Sequence, residues 1–98
     1  MKNIKEVNGY SVGEIKASKY LRVVLRKKDD NVIEDIKIIG DFFAFPESAV
    51  DSLEDDLKGK TLEEALNIVE GYDVIFTGIT KEDLKNAIKQ AFKGGKNL

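Results

Sequence analysis

YLRVVLRKKDDNVIEDIKIIGDFF, residues 20–43, is the stretch that decides the fold. Leu21, Val23 and Leu25 alternate with Arg22, Val24 and Arg26, which predicts a strand from Tyr20 to Lys28. Lys28-Asp29-Asp30-Asn31 supplies a turn, because Asp and Asn tolerate left-handed backbone and bond their own chain. A second long strand follows from Val32 to about Phe43. Its alternation puts Ile36, Ile38, Gly40 and Phe42 on one face, and Asp35, Lys37, Ile39, Asp41 and Phe43 on the other. The two runs predict an antiparallel hairpin that turns one face toward a helical layer.

Outward from this hairpin the patterning changes. The first dozen residues are polar and read as a loose lead-in, followed by a short strand from Glu14 to Ala17. Downstream, Pro46 suits a first helical position, and Ala49, Val50, Leu53 and Leu57 form an apolar stripe that ends before Gly59. Thr61 and Glu64 have capping-box spacing ahead of Leu62, Ala65, Leu66 and Val69, and Gly71 suits a left-handed helix end. Tyr72 to Phe76 reads as one more short strand. Thr80 and Asp83 open a last helix, with Ile79 and Leu84 placed as a hydrophobic staple. Leu84, Ala87, Ile88, Ala91 and Phe92 repeat at helical spacing up to Gly94-Gly95, and Lys93 to Leu98 are expected to fray. Strands come first and helices after. This order predicts a single α+β domain over residues 1–98, in which a small antiparallel sheet packs against about three helices.

Composition narrows the function. With 98 residues, 42% hydrophobic and 35% charged, the chain reads as one globular domain. Formal charges nearly cancel at −2 and the pI is near 5.2, which argues against a nucleic-acid binder. There is no Cys and no His, so disulfides, thiolate chemistry, most zinc sites and the commonest general base are excluded. The start of the chain lacks the apolar run of a signal peptide, and no stretch approaches a membrane span; the expected location is cytoplasmic.

Among chemistry-bearing residues, Ile39-Gly40-Asp41-Phe42-Phe43-Ala44-Phe45-Pro46 stands out, with three aromatics in four positions at a strand-to-helix junction. In one reading Phe42 fills the core, Gly40 permits a close backbone approach and Asp41 holds the turn. In the other, Phe42 and Phe43 point to opposite faces and the surplus aromatic meets a partner. Glu54, Asp55 and Asp56 fan out by about 100° each on a helix, so they do not converge on a metal and read as a solvated face. Lys16 and Lys19 flank a strand break at Ala17-Ser18 and read as solvated charges. Gly94-Gly95-Lys96 falls at a helix end, where the dipole repels phosphate.

The ordered set Lys19-Tyr20-Leu21-Arg22-Val23, Gly40-Asp41-Phe42-Phe43, Leu53-Glu54, Leu57-Lys58-Gly59 and Gly78-Ile79-Thr80 resembles the accessory domain of lipoate–protein ligases, over about residues 14–92. That domain has a strand entered through a Gly-Lys pair; here Ser18 stands at the position of that Gly. The resemblance implies the separate small subunit of an archaeal two-protein ligase, in a heterodimer with a catalytic subunit. It implies no catalytic residue in this chain and no cofactor bound by it. The complex would use ATP, Mg and lipoate to form lipoyl-AMP during protein lipoylation. Lys19, Asp41, Phe42, Phe43 and Phe45 are the expected partner-facing residues. The alternative is a Cys-free adaptor that binds another enzyme and is related in fold to iron–sulfur assembly scaffolds.

Overall fold

The computed structural model describes residues 10–16, 19–29, 31–94 and 96–97. Residues 1–9 of the expected lead-in and the strand end at Ala17 lie outside them, while residues 10–12 of that lead-in already belong to a strand. The first strand, β1, is Tyr10–Lys16, earlier and longer than its apolar content indicated. Next come β2 (Tyr20–Lys28) and β3 (Val32–Gly40), the predicted hairpin. They are joined through Asp29, whose φ of 59° is the left-handed conformation expected of this turn. Lys96–Asn97 forms β6 rather than a frayed tail, because its backbone pairs antiparallel with Ser11 and Val12 of β1. The sheet order is β3-β2-β1-β6, with antiparallel neighbours throughout.

Three helices cover one face of this sheet: α1 (Ala49–Leu57), α2 (Leu62–Gly71) and α3 (Lys81–Phe92). Leu21, Val23 and Leu25 of β2 are fully buried beneath them, beside Leu53, Leu57, Val69, Leu84 and Ile88. Ile33 and Ile36 are both buried although they lie three residues apart in a strand. A bulge explains this: Arg26 pairs with Asp35 and Lys27 with Ile33, so Glu34 is skipped and the side-chain parity flips. β1 and α3 approach closely at Gly13. A Cβ on Gly13 would collide with the Ala87 carbonyl oxygen and lie 2.9 Å from the Ala91 nitrogen. Glycine is therefore required for this approach, which the hydroxyl of Ser11 reinforces by donating to the Ala91 carbonyl at 2.5 Å.

The helix ends follow local chemistry with two exceptions. Thr61 and Glu64 form the predicted capping box, as do Thr80 and Asp83, and the staple residues Ile79 and Leu84 are both buried. Pro46, however, does not start α1. Its carbonyl accepts from the Ala49 amide at 2.9 Å in a turn that precedes the helix, whose N-cap is Ser48. Gly71 is not left-handed either. It ends α2 inside the helix, and the chain leaves extended at Tyr72. The ammonium of Lys81 takes over the cap, donating to the carbonyls of Tyr72 at 2.7 Å and Glu70 at 3.2 Å.

The free edge of β3 is closed by the chain itself. The Ile33 amide donates to the Lys60 carbonyl at 2.9 Å, and the Gly59 amide donates to the Ile33 carbonyl at 2.7 Å. The Ile38 amide donates to the Glu54 carboxylate at 2.7 Å. Such coverage blocks edge-to-edge pairing with another sheet.

Replacing Gly13→Ala is expected to cost roughly 1–3 kcal/mol, the range for overpacking a core, read as a lower urea midpoint at unchanged slope. A second outcome concerns Glu70, whose carboxyl is held below the ordinary carboxylate range by its hydrogen bond to Lys85, 2.6 Å away. A folded pKa below the unfolded one stabilises above the unfolded value, and that contribution fades as pH falls through the folded value. An NMR titration should show the Glu70 carboxyl moving up when Lys85→Met removes the donor.

Candidate functional site

The chain leaves β3 at Gly40, three residues before the predicted end. A Cβ on Gly40 would strike the Tyr20 carbonyl oxygen and approach the Phe42 ring to 2.9 Å, so only glycine passes there. The Asp41 amide then donates to that same Tyr20 carbonyl at 3.1 Å and completes the bend. Beyond it, Phe43–Phe45 forms β4 and pairs with β5, Ile75–Thr77, as a separate two-stranded ribbon. The late strand is thus real but shorter than the expected span of Tyr72 to Phe76, beginning three residues later and ending one residue later.

The ribbon register sorts its side chains. Phe43 pairs with Thr77, Ala44 with Phe76 and Phe45 with Ile75. Ala44 and Phe76 turn inward and are half-buried. Phe42, immediately before the ribbon, meets Phe76 edge to face with ring centroids 5.7 Å apart and planes at 74°. This geometry suits the ring quadrupoles and anchors the ribbon on the core. The other face is outward and bare: Phe43 is 76% exposed, Phe45 70% and Ile75 67%. Two phenylalanines at that exposure present on the order of 300 Å² of apolar surface, as much as the largest patch of many monomers.

Lys19 marks one end of the ribbon. Its amide donates to the Gly78 carbonyl at 3.2 Å, and its aliphatic stem lies across Gly78, where a Cβ would sit 2.5 Å from the Lys19 Cγ. Gly78 has φ 101°, a left-handed conformation that also favours glycine. Asp41, on the bend, is exposed as well.

Of the five expected partner-facing residues, Lys19, Asp41, Phe43 and Phe45 are exposed around this ribbon, while Phe42 packs inward. Ile75 joins the bare face although sequence reasoning passed it by. The signal was its alternation with Phe76, whose pairing with β4 could not be read without the tertiary register. The acidic helix face is also different from expectation. Glu54 is buried, bonded to the Ile38 amide, because it continues the Val50, Leu53, Leu57 stripe at helical spacing. Asp55 faces Lys58 at 3.6 Å, and Asp56 accepts from the Tyr72 hydroxyl at 2.8 Å. These carboxylates are committed to three different partners and do not suit a magnesium ion.

Comparison with known proteins fits the ordered motifs. Residues 23–88 match the family described as the bacterial lipoate protein ligase C-terminus. The chain belongs to that family. "Lipoate-protein ligase A subunit 2" of Thermoplasma acidophilum is 40% identical over 77 residues, covering 76% of this chain and 82% of the relative. A solved structure of an archaeal lipoylation system from Thermoplasma acidophilum, a bi-partite lipoate protein ligase and its E2 lipoyl domain, contains a similar chain. The two superpose with a TM-score of 0.74 at 36% identity, covering 81% of this chain and 93% of that chain. The adaptor reading gains no support from these likenesses. Among the described residues no helix is long and apolar enough to cross a membrane.

The inward and outward aromatics of this lipoate ligase family member should separate cleanly. Phe42→Ala is expected to cost about 2 kcal/mol, less than a fully buried phenylalanine because the ring is only half-covered. Phe43→Ser should change stability by no more than about 0.5 kcal/mol. Thermal and urea unfolding of both variants checks this.

Proposed function

We propose that this chain is the accessory small subunit of a lipoate–protein ligase and pairs with a separate catalytic subunit. The observation that carries the reading is its likeness, over most of both chains, to a protein that is itself named as the second subunit of such a ligase. The match to the family of the ligase C-terminus supports it.

In this reading the complex uses ATP and magnesium to join the lipoate carboxylate to the α-phosphate of ATP. Lipoyl-AMP forms and pyrophosphate leaves. The lipoyl group then passes to a lysine of an acyl-carrier domain and AMP is released. In this reading magnesium, ATP and lipoate would be held by the catalytic subunit. The small subunit contributes by docking, and it favours the adenylation-competent state to the extent that it binds that state more tightly than the alternatives. A cytoplasmic location suits this role.

The docking surface is the bare face of the ribbon, with Phe43 and Phe45 as anchors, Ile75 beside them, and Lys19 and Asp41 at the rim. Phe42 belongs beneath this surface, where it holds the ribbon at a fixed height. Exposed aromatics on a supported ribbon lose little side-chain entropy on binding, which suits them as interface anchors.

The test measures lipoate-dependent pyrophosphate release by the catalytic subunit with and without this chain. Stimulation is expected, and its absence with both folded subunits present would sink the reading. The double variant Phe43→Ser, Phe45→Ser should raise the concentration of small subunit needed for half-maximal stimulation by at least 10-fold, while its own melting temperature stays within a few degrees of the parent.

A further inference from the structure

Beside the ribbon lies an open groove of about 520 Å³, between the end of β3, β4 and the start of α1. Its walls include Ile39, Phe43, Ala44 and Val50, and its floor reaches Gly40. Glu47 is the one charged residue in the lining. Phe43 belongs to both surfaces, so groove and bare ribbon face form one continuous apolar area, to which Ile39 adds a side chain 49% exposed. Of the nearby carboxylates, Glu54 holds the Ile38 amide, Asp55 faces Lys58, and Glu34 faces Arg26 at 3.3 Å, while Asp41 is exposed on the bend. Among the described residues no ion pair reaches Glu47.

We infer that this groove receives a segment of the catalytic subunit in which an apolar side chain stands next to a lysine or arginine, the apolar group lying against Ile39, Phe43 and Val50 and the cation pairing with Glu47. The inference rests on the proposed docking role and specifies the chemistry of the docked segment. Its physical basis is the cost of covering an ionised carboxylate. An apolar partner closing over the groove would strip water from Glu47 without replacing its hydrogen bonds, and an acidic partner would add repulsion. A cation repays that loss, and an arginine does so with two parallel N–H donors. The apolar walls add area, and the single carboxylate sets orientation and selects among partners.

The experiment measures the affinity of the purified chain for the catalytic subunit by calorimetry, at low and high salt, for Glu47→Gln, Glu47→Lys, Ile39→Ser, Phe43→Ser and the control Glu63→Lys. Glu63 is exposed on α2, away from the groove lining. Glu47→Lys should weaken binding at least 10-fold and Glu47→Gln about 3-fold, with a flatter salt dependence than the parent. Ile39→Ser should weaken binding, and Glu63→Lys should leave it unchanged. If both Glu47 variants bind like the parent while Phe43→Ser weakens binding, the groove assignment is overturned and the docking role stands. The same assignment falls if Glu63→Lys weakens binding as much as Glu47→Lys, since the effect is then one of net charge. If no variant including Phe43→Ser changes the affinity, the ribbon face itself is not the docking surface. Circular dichroism of each variant confirms that the fold is retained.

Discussion

The burial of one face of β2 is the constraint on which the rest of this structure depends. Leu21, Val23 and Leu25 have no accessible surface, and all three helices pack on the side they define. Burying each such side chain contributes on the order of 1.5–3 kcal/mol, enough to set the strand register against one-residue slips. β1 and β3 inherit their facing from that register. The bulge at Glu34 and the glycine at position 13 are adjustments that let both neighbours meet the same helical layer.

The edge strand β3 ends at Gly40. The close approach to the Tyr20 carbonyl forces the chain to bend, and the ribbon of β4 and β5 begins outside the main sheet. Phe42 and Phe76 tie that ribbon down by an edge-to-face contact, leaving Phe43, Phe45 and Ile75 on its outer side. The inward aromatics support the ribbon from below, and its two strands pair with each other. In the proposed docking role, such support would position the outward side chains before the partner arrives.

Electrostatics follow the same division. Several carboxylates over the body of the domain are used locally: Glu54 closes the β3 edge, Glu64 and Asp83 cap helices, and Glu70 pairs with Lys85. Those near the ribbon, Asp41 and Glu47, are exposed at its bend and beside its groove.

Much of this was legible in the amino-acid sequence, because the signals were local. Alternation in Tyr20–Lys28 and the Asp-rich turn specified the hairpin. Thr61 and Thr80 with their partners three residues on specified two helix starts, and the absence of Cys and His excluded whole classes of chemistry. Phe42 and Phe43 were separable as facing opposite ways by period alone. What the tertiary structure decided were the relations between distant segments. Only the folded chain pairs Phe45 with Ile75, turns Glu54 from a presumed surface charge into an edge cap, and brings Lys96–Asn97 back beside β1. Each depends on contacts far apart in sequence, where backbone hydrogen bonding and close packing outweigh local propensity. The aromatic run announced that a surface was there; the register of a three-residue ribbon determined which aromatics form it.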